Sequence, residues 1–304
     1  MSAAAAATTR VRGLAPWSPQ RATRDLLDAV KAVLIEYQQY LPLTVRQIFY
    51  RLVGAHDYAK TENAYARLGE HLNRGRRSGL IAFDAIRDDG VTIAAPLAWD
   101  DAEELVEHFV GSAEQMRFDR QQGQPARLIF AVEAAGMLPQ IERIADPFGI
   151  TVQSSGGFDS LTAKYDLAQK LGRYARVEVL HIGDHDPSGV HLFSSMEEDV
   201  RRIAVDLGLD AEIRFSRLAV TPKQIKALNL ATAPAKETDR RSFVGETVQC
   251  EAIPPDVLAE IVRQAIDDRL DRKALGLVLE AEKAARVKLL KRLAPLTRKP
   301  RATP

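Results

Sequence analysis

Between residues 127 and 218 the chain alternates apolar runs of strand length with segments of helical spacing, and nothing else in it narrows the fold as much. Residues 127–132, 149–153, 177–182 and 212–218 read as strands. Residues 137–144, 161–171 and 190–207 read as the helices between them, and 255–293 are helical again. Strands that are apolar along their length need cover on both faces. Strand and helix in strict alternation supply it, so the reading is an α/β domain with a parallel, doubly wound sheet.

The first hundred residues carry a different pattern. Ser18-Pro19 is a helix-start signal, and Leu26, Val30, Val33, Leu34 and Tyr37 follow at helical spacing until Pro42. Thr44 and Gln47 make a capping-box pair opening a short second helix through about Val53. A third helix is expected from about Thr61 to Arg77, with Tyr65, Leu68 and Leu72 on its buried face. Residues 80–93 read as two short extended segments around the turn Asp88-Asp89-Gly90. Three helices and a hairpin are the order of a winged helix-turn-helix, which usually sets its third helix in the DNA major groove. The polar stretch 112–126 reads as a linker. The expected organisation is a disordered tail (1–17), a winged-helix DNA-binding domain (18–111), the linker, and a sheet domain with a helical extension (127–304).

Composition bounds the partners. With 42 Lys+Arg against 41 Asp+Glu, any nucleic-acid surface has to be a local patch. One cysteine, Cys250, excludes a disulfide framework and an all-cysteine zinc site. No apolar run nears the roughly 18 residues of a membrane span, and the alanine-rich start lacks the features of a secretory signal. A cytoplasmic, nucleoid-associated protein without membrane contact is expected.

Three constellations could carry chemistry. Gly183-Asp184-His185-Asp186-Pro187-Ser188-Gly189 directly follows an apolar strand, and two carboxylates at a strand's C-terminal end face the crevice where such sheets bind ligands. Glu133 ends an earlier strand on the same rim, so Glu133, Asp184 and Asp186 outline a site for a hard divalent cation. The competing reading has Asp184 capping the next helix and Glu133 solvated. In the second helix, Val45, Ile48, Phe49, Leu52 and Val53 form the apolar stripe. Tyr50 lies roughly 130° from its centre, outside the expected core. Arg46, one turn earlier, would favour the phenolate. Finally, Arg67, Arg74 and Arg77, with Arg76 beside them, can share the outer face of the third helix and meet phosphates. The tail from Lys283 to Arg301, with eight Lys/Arg and no acid, is a second basic candidate. His181 and Cys250 read as buried, and His185 as a bystander in the acidic turn.

Taken together, Arg46 to Tyr50, Glu133 and Gly183 to Gly189 resemble, in order, the A subunit of topoisomerase VI and its relative, the meiotic recombination initiator. The resemblance covers about residues 20–220. It implies a winged helix-turn-helix domain followed by a Toprim domain (a Rossmann-like parallel sheet). It implies Mg²⁺ at Glu133, Asp184 and Asp186, with Arg46 beside the phosphate. Tyr50 would attack a phosphodiester of double-stranded DNA, giving a 5′-phosphotyrosyl link. It further implies a homodimer, with the tyrosine of one chain at the metal site of the other, and a separate GHKL-type ATPase B subunit for strand passage. The family often carries Lys after the Toprim Glu, where this chain has Ala134. Two other readings stand beside it: a Toprim nuclease using metal-activated water, with Tyr50 structural, and a non-cleaving DNA-binding protein.

Overall fold

The structure is a computed structural model that describes residues 14–87, 96–155, 160–234 and 246–296. Expectations for the 1–13 tail, the Asp88-Asp89-Gly90 turn with its return segment, and residues 297–304 lie outside the described residues. The N-terminal half contains helices α1 (Arg21–Glu36), α2 (Val45–Ala55) and α3 (Glu62–Arg77). Strand β1 (Leu43–Thr44) pairs in parallel with β2 (Ile86–Arg87). Thr44 and Gln47 form the reciprocal capping box at the start of α2, and the Thr61 side chain accepts from the Ala64 N–H at 3.1 Å to open α3.

A helix not read from the sequence, α4 (Ala102–Glu114), follows. Its Asp101 cap and early glutamates are proper start signals, but only Ala113 on it is buried. It packs against the long last helix α10 (Arg272–Leu293) rather than on a core. The expected linker therefore begins inside a helix, and its remainder is tied down. Gln121 is buried and exchanges hydrogen bonds with the backbone of Leu128. Arg120 pairs with Glu282 at 2.9 Å. Polarity here serves buried hydrogen bonding, not solvation. Residues 14–17, expected as tail, are held too: Trp17 stacks on His71, and the Ala15 N–H donates to the Arg77 carbonyl.

The second half is the expected alternation: β3 (Arg127–Val132), α5 (Leu138–Ala145), β4 (Thr151–Ser154), α6 (Leu161–Leu171), β5 (Arg176–Ile182), α7 (Pro187–Asp206) and β6 (Glu212–Ala219). Then come α8 (Pro222–Ala227), α9 (Pro255–Asp267) and α10. All four strands of this sheet are parallel, in the order β4-β3-β5-β6. Strand residues alternate between faces: Leu128, Phe130, Val132, Leu180 and Ile182 pack with α5 and α9, while Ile129, Ala131, Val177 and Val179 pack with α6 and α7. The first of these cores runs without a break into α1, α2 and α3. Polar contacts reinforce the junction. The Gln47 amide donates to Gln140 of α5 at 2.8 Å, and Arg143 donates to the Gln39 and Leu41 carbonyls. The N-terminus of α2 is thereby fixed beside the end of β3.

Candidate functional site

The winding of the sheet reverses between β3 and β5, because the β3–β4 connection leads one way and the β5–β6 connection the other. Where strand order reverses, the two loops diverge and leave a crevice at the strands' carboxyl ends. Glu133 stands at the end of β3 and Asp184 just past the end of β5, so the crevice is lined with carboxylate. Glu133 Oε2 accepts from the Asp184 backbone N–H at 2.9 Å. The turn is glycine for steric reasons. A Cβ at Gly183 would strike the His181 ring and Glu133 Oε2, and one at Gly189 would strike the Asp184 carbonyl. Asp186 caps α7, its Oδ1 accepting from the Gly189 N–H at 2.6 Å. Helix capping, considered for Asp184, thus falls to Asp186. Asp184 instead accepts from the Cys250 N–H at 2.8 Å.

The electrostatics follow from burial first and from the acidic neighbours second. Burial, then Asp184 and Asp186, push the Glu133 carboxyl up to about 7, against the opposing Asp184 N–H and the nearby Arg217. Burial also raises Asp184. Arg217, on β6, lies outside the site expected from the sequence. It donates to the carbonyls of Gly183, Asp184 and Gly189 and so braces the acidic turn. Ala134 leaves no cation after Glu133, but β6 brings one. His181 is fully buried, with Nε2 3.4 Å from the Ser155 hydroxyl and Nδ1 unpaired among the described residues.

Tyr50 departs from the expectation of a ring outside the core. It is 7% exposed, packed edge-on against Phe49 with Lys60 over its face. The helical wheel set it off the stripe of α2, but a further segment covers that flank. The strap 247–252 runs between α2 and the acidic turn. Val248 pairs with His185 through backbone hydrogen bonds in both directions. Gln249 Oε1 accepts from the Tyr50 hydroxyl at 2.8 Å. Glu251, 5% exposed, lies 3.8 Å from the Arg46 guanidinium. Burial first, then Glu251, drive the Tyr50 phenol up to about 12, and Arg46 only partly offsets them. The expected lowering by Arg46 is outweighed. The Arg46 guanidinium itself lies 5.8 Å from the Tyr65 ring.

Among the described residues, the side chains whose ligand atoms lie within 4.8 Å of one another are Asp184, Cys250 and Glu251. Glu133 and Asp186 flank this group rather than joining it. Glu251 is no part of the site expected from the sequence, where its one signal is an acid between Cys250 and the apolar pair Ala252-Ile253. Arg46, Tyr50, Lys60, Asp186, Ser188 and Gln249 all line one cavity of about 600 Å³. One candidate site therefore draws on both halves of the chain. No protein-family model, no curated protein and no solved structure matches the chain.

The third-helix arginines are divided. Arg67 is exposed. The Arg74 guanidinium lies 4.7 Å from the Trp17 ring centre and that of Arg76 4.8 Å from Phe83, while Arg77 Nε donates to Asn73. Among the described residues no helix is long and apolar enough to cross a membrane.

Proposed function

We propose that this chain is a Mg²⁺-dependent, DNA-binding and DNA-cleaving protein of the topoisomerase VI A type, with a winged helix ahead of a Toprim domain. One observation carries the reading: Tyr50 and Asp186, more than a hundred residues apart, line one cavity beside the carboxylates at the switch point of a parallel sheet. Glu133, Asp184 and Asp186 would hold the metal. Their donor set suits a hard divalent cation in offering oxygen ligands only, with two of the three carboxyls raised by burial first and by their acidic neighbours after it. When bound, Mg²⁺ supplies charge neutralisation at the phosphate and at the departing 3′ oxygen. Tyr50 Oη would form the bond to phosphorus as the bond to the 3′ oxygen breaks, leaving a 5′-phosphotyrosyl link. Arg46 would face the phosphate. Double-stranded DNA as substrate, a homodimer and a separate ATPase subunit come with the resemblance and belong to the same proposal.

A second reading, hydrolysis by metal-activated water, is favoured by the burial of Tyr50 and its phenol at about 12. Tyr50→Phe separates the two. Supercoiled DNA is incubated with Mg²⁺ and quenched with detergent and protease. A transesterase loses both covalent adduct and nicking in the variant. A nuclease keeps its cutting, and retained cleavage would assign Tyr50 a structural role.

A further inference from the structure

The strap deepens this proposal, and it rests on the reading of Tyr50 as nucleophile. We propose that the segment 247–252 is a latch: Gln249 holds the Tyr50 hydroxyl, and Glu251 holds Arg46, in a resting arrangement that must be released before the tyrosine can attack.

A tyrosine nucleophile needs two things, loss of its proton and a nearby cation to favour the phenolate. The strap withholds the first and weakens the second. The phenol donates its hydrogen to the neutral amide oxygen of Gln249 at 2.8 Å, and a bond made by the protonated form holds the proton in place. Arg46, the guanidinium one turn from Tyr50, faces the Glu251 carboxylate at 3.8 Å, so its pull toward the phenolate is opposed by a negative charge beside it and offsets the rise only in part. The high phenol pKa agrees with this, with burial as the main cause and Glu251 next.

The strap is anchored on the acidic turn as well. Val248 is paired with His185, and the Cys250 N–H is given to Asp184. On the α2 side, Arg51 donates to the Ala252 carbonyl. Six consecutive residues thus bridge the tyrosine helix and the carboxylate rim. Gln249 and Glu251 are positioning residues here, acting through Tyr50 and Arg46.

The test reads Tyr50 directly, without DNA. The full chain is treated with tetranitromethane, which nitrates tyrosine through the phenolate, and peptide mapping follows each tyrosine separately. Gln249→Leu removes the acceptor and should speed nitration at Tyr50 roughly fivefold, the worth of one hydrogen bond of about 1 kcal/mol. Tyr37 and Tyr58 should keep their rates. Gln249→Glu presents a stronger acceptor and should leave Tyr50 as slow as in wild type. Adding Glu251→Gln to Gln249→Leu should raise the Tyr50 rate further by freeing Arg46.

An unchanged Tyr50 rate in Gln249→Leu overturns the latch. So does a rise shared by Tyr37 and Tyr58, which would mean general loosening. A double variant no faster than the single one overturns the role of Glu251. The same variants are then assayed for adduct on supercoiled DNA. Faster nitration with no adduct in any variant sinks the transesterase reading and the latch that rests on it, leaving only the Gln249 restraint on the phenol. Unchanged nitration beside a wild-type adduct sinks the latch and leaves that reading intact.

Discussion

Replacing Glu133 by Gln should stabilise the metal-free protein at alkaline pH, although it removes a charged group from the candidate site. Glu133 ionises near 7 in the fold, against an ordinary value of 4.5. Between those values the folded state keeps a proton that the unfolded state releases. Stability from this group therefore falls as pH rises from about 4.5 to 7 and stays low above it. At 1.36 kcal/mol per pH unit the difference is worth up to about 3 kcal/mol, and about 1–3 kcal/mol once partial hydration of the crevice is allowed for. Glutamine keeps an oxygen to accept the Asp184 N–H and removes the repulsion toward Asp184 and Asp186. Urea unfolding in EDTA at pH 4.5 and pH 8 isolates the effect. The two proteins should nearly coincide at pH 4.5, and the variant should be the more stable by about 1–3 kcal/mol at pH 8. Adding Mg²⁺ or Mn²⁺ at pH 8 should then help wild type more, by about 2.7 kcal/mol at a concentration of 100 Kd. A variant less stable than wild type at pH 8 in EDTA would refute the argument, because it would mean that Glu133 is better placed ionised than neutral.

Asp184→Asn with Asp186→Asn should abolish divalent-cation binding with the fold retained, and unchanged affinity by calorimetry would remove these residues from the metal site. Arg67→Glu should weaken duplex binding for all sequences and lower its salt slope by about 1, as for a lost phosphate contact; fluorescence anisotropy over a salt series decides it. Arg74→Glu should also loosen the fold, because Arg74 lies over Trp17. Glu282→Gln should cost about 2–3 kcal/mol in urea unfolding at pH 7, since its carboxylate accepts from Arg120, Arg286 and the Phe118 N–H. Those partners, hydrogen bonding from Arg120 foremost, hold Glu282 down at about 2. Its contribution is present above about 4.5 and fades as pH falls toward 2, so wild type and variant should converge in acid.

Local and periodic features were legible from residues alone. The capping box of α2, the third helix ending at Arg77, and the helix at 161–171 all follow from side chains satisfying their own backbone or from apolar spacing. So do the four strands and the placing of Glu133 and Asp184 on one rim, because alternating strand and helix leaves few ways to build a parallel sheet. Signals for α4 are present in the sequence too, with Leu105, Val106, Phe109, Val110 and Ala113 at helical spacing, but of that stripe only Ala113 is buried. What residue spacing could not supply was every relation between distant segments. Tyr50 lies off the stripe of its own helix, and it is buried because residues 247–252 cover that flank. Arg217 and Glu251 reach the site from β6 and from the strap, and their positions depend on strand order and chain crossing rather than on any neighbour in sequence. A residue's charge and local geometry are set by its own segment. Its burial, and with it its proton affinity, is set by whichever segment the tertiary fold lays across it.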